Sequence, residues 1–353
     1  MAFCSRGVCA YSKDEPLSGN AQPLRSRQKV LLRDRYFAVF FLFFLWSCAA
    51  LAKSDKPQSS PKPLVVYIHE TLYVTQKETL EKQGDFSVIL KPFSGSDLVG
   101  KILLEGSTLK ADVVVGIEGE RASDPRIASL AAPLPAALFQ RLFLPFSWKD
   151  KRFLPISYAY LAFLYDGRTL APSTETLESF LKSLPPKSLV VPDPRTSMVG
   201  RGALSWVKAS EYGILHQKVL TYPKGWSGTF SLFNRGRAKV MLGYTTSVLY
   251  HQGKGQSFVR WAALKKTAHP VQVMTAFITA KKEVHPKAVL FLETLLSPSL
   301  QRMVIQNYGY PVIEISLPES HHHCRPKNAF LLEGGEGEKD ENLKNWMASG
   351  YQK

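Results

Sequence analysis

The sequence has little cysteine, no repeat of fixed period and none of the common catalytic motifs. It contains 4 cysteines in 353 residues, and only Cys324 remains if the chain is cleaved after Ala52. An intramolecular disulfide is then excluded, and the hydrophobic core must supply the stability. The missing repeat excludes solenoids and propellers. The G-x-S-x-G, H-E-x-x-H and P-loop patterns are also missing, so no motif predicts an enzyme.

The first 52 residues have the three parts of a secretory signal peptide. A basic run at 25–35 precedes the apolar stretch Tyr36–Cys48, and Ala50-Leu51-Ala52 has the form of a cleavage site. The apolar stretch is shorter than the roughly 20 residues of a transmembrane helix. We therefore predict cleavage after Ala52 and a periplasmic protein. Residues 45–48 (LWSC) also resemble a lipobox, which leaves lipid anchoring at Cys48 as an alternative.

The composition is that of a globular protein with a basic surface. The chain is 45% hydrophobic and 21% charged, with a net charge of +16. Lysine and arginine are scattered along it and do not form an arm or a helix face, and no RNA- or DNA-binding motif is present. We predict a solvated basic surface and no nucleic-acid partner. The length suffices for two packed lobes.

Short apolar runs alternate with amphipathic segments after a polar, Pro/Ser-rich linker at 53–62. This rhythm predicts βαβ units and a mainly parallel sheet with flanking helices. The predicted strands are 64–68, 86–91, 111–116, 158–165, 188–191, 240–244 and 271–279, and the predicted helices are 71–82, 97–105, 174–184, 202–210, 286–296 and 299–306.

Small, hydroxylated or glycine residues recur directly after the predicted strands. Ligands of open α/β sheets bind at these strand ends, and helix N-termini bind anions. The same residue types are common helix caps, which is the better interpretation for any single turn. For the set as a whole, the ligand-binding interpretation gains weight. The turns are 94–96, 118–119, 193–197 and 244–247.

Several short motifs follow one another in a fixed order between residues 62 and 315. They are ADVVVG at 111–116, FLP at 153–155, YAYLAFLYD at 158–166, DPRTS at 193–197, KGWS at 224–227, YTTS at 244–247 with YH at 250–251, and YPV at 310–312. This set resembles the periplasmic thiamine-binding proteins of bacterial ATP-binding-cassette (ABC) transporters, which are class II extracellular solute-binding proteins.

The resemblance implies a two-lobed α/β fold with the ligand between the lobes. Crossover strands near 155–165 and 268–278 would join the lobes. Lobe 1 would contain residues 63–157 and 275–345, lobe 2 residues 158–274, and residues 346–353 would form a tail. The resemblance further implies a monomer that delivers thiamine or a thiamine phosphate to an inner-membrane ABC permease. It implies no catalytic residue, no metal and no cofactor apart from that ligand.

Aligned positions imply the ligand contacts. Aromatic faces would hold the thiazolium cation and the pyrimidine ring, and hydroxyls at helix starts would hold a phosphate ester. The implied contacts are Ser94, Gly95, Ser197, Trp226, Tyr244, Thr245, Thr246, Ser247, Tyr250, Tyr308 and Glu70. Trp206, on an apolar helix face, is predicted to lie in the core.

The sequence departs from the family pattern at several of these positions. His69-Glu70 stands where the family often has Tyr-Asp, so Glu70 would keep the carboxylate. Tyr308 replaces a tryptophan, Met198-Val199 replaces small residues, and Val248 replaces a proline. The exact ligand, whether thiamine, a phosphate of it or a related pyrimidine, therefore stays open.

Three alternatives remain. A ferric-iron or other anion-binding protein would use tyrosines with histidine or carboxylate, such as Tyr244, Tyr250 and His251. A thiaminase-like enzyme would need a cysteine nucleophile in the cleft. Cys324 lies outside the matching motifs, with His321–His323, in what we predict to be a solvated tail with at most adventitious metal binding. A sensor that presents the liganded form to a membrane receptor would need the same cleft.

Overall fold

The computed structural model describes residues 62–82, 86–332 and 336–350. The predicted signal peptide, the alternative lipid site at Cys48 and all but the last residue of the predicted linker lie outside the described residues. Every described residue belongs to one unit, Ser60–Lys353.

Strands and helices alternate along the described chain, as the hydrophobic pattern predicts. The strands are β1 (Leu64–His69), β2 (Val88–Phe93), β3 (Val113–Glu118), β4 (Leu154–Asp166), β5 (Leu189–Val190), β6 (Val219–Thr221), β7 (Val240–Tyr244), β8 (Val259–Trp261), β9 (His269–Ile278) and β10 (Ala329–Leu331). The helices are α1 (Glu70–Lys82), α2 (Gly95–Glu105), α3 (Pro125–Ala128), α4 (Ala136–Gln140), α5 (Leu177–Ser183), α6 (Met198–Trp206), α7 (Tyr212–Lys218), α8 (Trp226–Asn234), α9 (Ser247–Gly253), α10 (Ala288–Leu295), α11 (Pro298–Gln306), α12 (Glu319–His322) and α13 (Glu336–Ala348).

The predicted elements are confirmed, with shifted ends. The predicted strand 240–244 matches β7 at both ends. The helix predicted at 202–210 begins instead at Met198, because the Ser197 hydroxyl caps its first turn, and ends at Trp206. Strand β3 is buried along its whole length, which explains the apolar run before its last residue, Glu118.

The described strands form one mixed sheet in the order β2-β1-β3-β9-β4-β7-β5-β6, with β10 on β9 and β8 on β4. Parallel pairs lie toward both edges, β2-β1-β3 at one and β7-β5-β6 at the other. The central strands β3, β9, β4 and β7 pair antiparallel. The sheet is therefore parallel only toward its edges, and two long antiparallel strands connect them.

Strand β4 takes part in both ends of this sheet. Its residues 154–160 pair with β9, and its residues 161–165 pair with β7. We call the part built on β1–β3 the first half and the part built on β5–β7 the second half. Each half has its own apolar core, around Phe291 and Phe277 in the first and around Phe163 and Phe233 in the second. Strands β4 and β9 occupy the positions expected for crossover strands, and the exact lobe boundaries stay a prediction.

The C-terminal segment differs from our expectation. The resemblance implies that residues up to 345 belong to the first lobe and that 346–353 form a tail, yet Trp346 is fully buried in the core of the second half. Its indole contacts the rings of His216 and Tyr222, with centroids 5.5 and 5.0 Å apart. Helix α13 thus packs on the second half, because its one tryptophan finds an aromatic pocket there.

The predicted solvated tail around His321–Cys324 is also wrong. His321 and Cys324 are buried, at 4% and 2% exposure. The Tyr310 hydroxyl donates to the carbonyl oxygen of His321 at 3.0 Å, and Cys324 packs with Leu164 and Phe233. The local sequence is polar, but contacts with residues distant in sequence bury His321 of α12 and Cys324 just after it.

Helices α10 and α11 bury side chains such as Phe291 and Leu300 in the core of the first half. Taken together, these two helices are long and apolar enough for a membrane span, but they are bent by 50° relative to each other. No other pair among the described residues meets this criterion. No single described helix reaches that length and composition.

Candidate functional site

The KGWS and YTTS motifs meet in the second half. Trp226 begins α8, Tyr244 ends β7, and their ring centroids lie 5.6 Å apart. Gly243 makes this contact possible, since a Cβ there would lie 3.1 Å from the Trp226 ring and 2.7 Å from Leu164 Cδ1. The glycine lets the indole lie directly over the strand.

Further aromatic rings continue from this pair. Ring centroids of Trp226 and Phe230 are 6.5 Å apart, those of Phe230 and Tyr250 are 5.3 Å apart, and those of Tyr250 and Tyr308 are 6.0 Å apart. We call Tyr244, Trp226, Phe230, Tyr250 and Tyr308 the aromatic row. All five are only partly buried, so part of each side chain remains exposed. The row brings together residues from three separate motifs.

The hydroxyls of the YTTS motif hold the aromatic row in place. Thr246 Oγ1 donates to the carbonyl oxygen of Tyr308 at 2.6 Å, and Ser247 Oγ accepts from the backbone N–H of Tyr244 at 3.3 Å. Thr245 and Thr246 are buried, at 0% and 1% exposure, whereas Ser247 is partly exposed. Thr246 therefore anchors Tyr308, whereas the buried Thr245 hydroxyl has no hydrogen-bond partner among the described residues.

The DPRTS motif builds the turn that delivers Ser197. The buried carboxylate of Asp193 pairs with the Arg195 guanidinium, with Nε to Oδ1 at 2.9 Å, and the Asp193 carbonyl accepts from Ser197 N at 2.9 Å. Ser197 Oγ then accepts from Gly200 N at 3.5 Å and caps α6. Ser94 caps α2 in the first half in the same way, accepting from Asp97 N at 3.4 Å.

These two capped helices bring the halves into contact. A Cβ on Gly95 would lie 3.1 Å from His69 Nε2 and 3.4 Å from Met198 Sδ. Ser94-Gly95 of the first half therefore faces the residue that follows Ser197 in the second. A side chain at position 95 would thus be in tight contact with His69 and in ordinary contact with Met198.

The structure buries His69 and exposes Glu70. His69 lies at 9% exposure with Nδ1 2.9 Å from Thr71 Oγ1, and burial lowers its pKa although the nearby Glu118 carboxylate opposes that effect. Glu70 begins α1 and is exposed. The group that β1 presents toward Gly95 is thus the imidazole, and the predicted carboxylate of Glu70 points to solvent.

Two carboxylates at the end of β3 also lie near the site, and neither was among the predicted ligand contacts. Glu118 ends β3 and Glu120 lies in the following 3₁₀ turn, Gly119–Ser123; both are buried. The Tyr244 hydroxyl donates to Gln272 Oε1 at 2.7 Å, and Gln272 Nε2 lies 3.5 Å from Glu120 Oε1. Burial and the two carboxylates raise the pKa of Tyr244. The signal for Glu118 was its position directly after a buried strand.

His251, which was considered as an iron ligand, is used in packing. His251 Nδ1 is bonded to Gln256 Oε1 at 2.6 Å, and its ring stacks on Phe230 with centroids 5.4 Å apart. Burial lowers the pKa of His251. Within residues 62–82, 86–332 and 336–350, no group of three or more His, Cys, Asp or Glu could hold a metal ion.

Trp206 lies in the core of the second half, as predicted. Its indole stacks on Phe163 with centroids 5.4 Å apart, and Nε1 donates to the carbonyl oxygen of Ala268 at 2.9 Å. Trp206 and Trp226 of the second half therefore differ: Trp206 is buried, and Trp226 is only partly buried, between Tyr244 and Phe230 in the aromatic row.

Comparison with known sequences gives consistent relatives. The pattern of the bacterial extracellular solute-binding protein family matches residues 154–311. A thiamine-binding periplasmic protein of Brucella abortus (biovar 1, strain 9-941) is 31% identical over 253 residues, covering 69% of this chain and 75% of that protein. The thiamine-binding periplasmic protein of Escherichia coli (strain K12) is 32% identical over 233 residues, covering 64% of this chain and 71% of that protein.

Solved structures agree with the sequence relatives. A periplasmic thiamin binding protein superposes with a TM-score of 0.71 at 26% identity, covering 83% of this chain and 97% of that one. A ferric binding protein from Campylobacter jejuni superposes with a TM-score of 0.67 at 16% identity, covering 82% and 100%. The second likeness concerns the fold alone.

Proposed function

This chain belongs to the family of periplasmic thiamine-binding proteins, within the bacterial extracellular solute-binding proteins, and from that premise we propose that it binds thiamine or a thiamine phosphate between its two halves. The aromatic row is the observation that carries the proposal. Its rings come from residues 226–250 and 308 and remain partly exposed. Thiamine is a flat pyrimidine joined to a permanently charged thiazolium. Aromatic faces bind such a cation with about 0.5–2 kcal/mol each.

A phosphate ester would extend toward the capped helices. Ser94 and Ser197 both stand at helix N-termini, where unpaired N–H groups and the helix dipole favour an anion. Gly95 and Met198 place these two helix starts near each other. A ligand contacting both would stabilise the arrangement in which the halves meet, which is how binding proteins of this kind close.

Solute-binding proteins of ABC transporters bind small ligands and work with a membrane permease, and the relatives of this chain are periplasmic. We propose that this protein is a monomer that delivers its ligand to an inner-membrane permease. We also propose that residues 1–52 are its signal peptide, with lipid attachment at Cys48 as the alternative. The ligand is the only small molecule it would need, without a cofactor or metal.

We further propose that the protein is not an enzyme. A thiaminase-like mechanism would require a cysteine nucleophile, and none of the described residues of the site is a cysteine. Cys324, the one cysteine among the described residues, is buried, and burial raises the pKa of its thiol to about 11. At neutral pH that thiol is protonated and is a poor nucleophile.

Calorimetric titration tests the proposal. The full chain, expressed with its own leader and purified after export, is titrated with thiamine, thiamine monophosphate, thiamine diphosphate and ferric citrate. We expect saturable binding of at least one thiamine compound and none of ferric citrate, with the thiamine recovered intact by chromatography. Binding of ferric citrate alone, or breakdown of thiamine during incubation, would contradict the proposal.

A further inference from the structure

The first half places two carboxylates where burial is costly. Glu118 pairs in register with Met274 of β9, and its side chain is only 6% exposed. Glu120, two residues later, is 8% exposed. Charged carboxylates are rarely retained at such burial unless a cation or several hydrogen bonds compensate for lost hydration.

The compensation that the protein gives to Glu118 is incomplete. Its Oε2 atom is buried and receives no hydrogen bond. The nearest cationic atom of its ion pair, Arg121 Nε, lies 3.6 Å away, beyond the 2.7–3.2 Å of a protein N–H···O bond. This oxygen therefore retains acceptor capacity inside the protein, in the region where the two halves face each other.

The same carboxylates face the aromatic row. Gln272 links Glu120 to Tyr244, since its amide lies 3.5 Å from Glu120 Oε1 and accepts the Tyr244 hydroxyl at 2.7 Å. Trp226 is the next ring, 5.6 Å from Tyr244. His69 also interacts electrostatically with Glu118, but burial lowers the pKa of the imidazole and so favours its neutral form. Negative charge and aromatic faces thus converge from opposite halves.

We propose that Glu118 and Glu120 provide the counter-charge for the ligand's cationic ring, so that the site selects a positively charged heteroaromatic compound over a neutral one of the same shape. This rests on the proposed function and deepens it, because it assigns the thiazolium-recognising charge to the first half. A cation between an aromatic face and a buried carboxylate gains from both, and the low dielectric of the site strengthens the attraction.

The test compares thiamine with 3-deazathiamine, an analogue in which a neutral thiophene replaces the thiazolium. Dissociation constants for both are measured by calorimetry on the full-length secreted protein and on the variants E118Q and E120Q. We expect the unsubstituted protein to prefer thiamine by roughly tenfold or more. Each glutamine variant should lose most of that preference, chiefly by binding thiamine less tightly, while its affinity for the neutral analogue changes little.

Glu105 offers a matched control. It is also a buried glutamate of the first half, 9% exposed and 3.0 Å from Lys101 Nζ, but it lies at the far end of α2 from Gly95, about 15 Å along the helix. E105Q should keep the preference for thiamine. Thermal melts of all three variants identify any loss of folding. If E118Q is unstable, the result for E120Q decides the test.

The outcomes separate the two claims. Equal affinity of the unsubstituted protein for both compounds would overturn the inference and leave thiamine binding intact. A parallel loss of affinity for both compounds in E118Q and E120Q would show that the carboxylates only support the fold, which also overturns it. Failure of the unsubstituted protein to bind either compound would overturn the proposed function and this inference together.

Discussion

The first half of the molecule presents an imidazole and carboxylates to the site, whereas the second half presents aromatic rings and hydroxyl-bearing turns. His69, Glu118 and Glu120 come from β1, β3 and the turn after β3. Trp226, Tyr244 and Tyr250 come from α8, β7 and α9. The first half is thus suited to hold charge and the second to hold a flat ring, and a cationic ring needs both.

The difference also shows how each half can be recognised. The second half carries compact motifs, KGWS and YTTS, whose aromatic residues are conspicuous in sequence. The first half carries isolated acidic residues and a histidine, which resemble ordinary surface residues until the fold buries them. Experiments that separate stability from binding, and one half from the other, test this division.

The largest effect is expected from Trp226 and Trp206 of the second half. Trp226→Ala should weaken thiamine binding by more than tenfold, about 1.4 kcal/mol or more, because it removes a central ring of the aromatic row. Trp206→Ala is the matched control and should lower the free energy of unfolding by roughly 3–5 kcal/mol, since Trp206 is buried in the core. Calorimetry and urea unfolding of both variants give the two quantities. A stability loss for Trp226→Ala as large as that for Trp206→Ala would place Trp226 in the core.

Acid should destabilise the second half before the first. Burial lowers the pKa of three histidines packed in the second half, His216, His251 and His269, and of two histidines in contact with the first, His69 and His321. The unfolded state therefore binds these protons near pH 6.5 and the folded state does not, so the stability present above pH 6.5 is lost as pH falls below it. Each histidine contributes up to roughly 1.4 kcal/mol per pH unit.

Hydrogen exchange at pH 7 and pH 5 measures the loss of stability separately in each half. Amides of β7 and α9 should lose protection at pH 5 sooner than those of β1 and β3. His251→Gln should weaken the pH dependence of the unfolding free energy, and the control variant at the exposed His322 should leave it unchanged. Equal loss of protection in both halves would contradict the assignment.

The smallest effects are expected at the paired serine caps. Ser94→Ala in the first half and Ser197→Ala in the second should each cost about 0.5–1 kcal/mol of stability, because each hydroxyl accepts one long hydrogen bond from its helix. If both also contact a phosphate, affinity for thiamine monophosphate should fall roughly two- to tenfold more than affinity for thiamine. Parallel titrations measure the difference. An equal change for both ligands would limit the serines to helix capping.

Much of the fold was predictable because its signals are local. The buried runs of β1, β3 and β7 and the amphipathic helices between them are visible as sequence patterns, although α2 begins at Gly95 and not at the predicted residue 97. The burial of Trp346, His321 and Cys324 was not predictable, since each depends on contacts with residues far away in the sequence. For example, the carbonyl oxygen of Trp346 is hydrogen-bonded to a ring nitrogen of His216, which lies 130 positions earlier in the sequence.

By itself the sequence determined the alternation of strands and helices, the buried position of Trp206, and the aromatic and hydroxyl residues that match a known family. Tertiary structure alone decided that the imidazole of His69 and not the carboxylate of Glu70 faces the opposing half. It also decided that Glu118 and Glu120 lie buried near Tyr244, joined through Gln272. The physical reason is that a carboxylate's surroundings set its role, and those surroundings are assembled by strands that are distant in sequence and adjacent in the sheet.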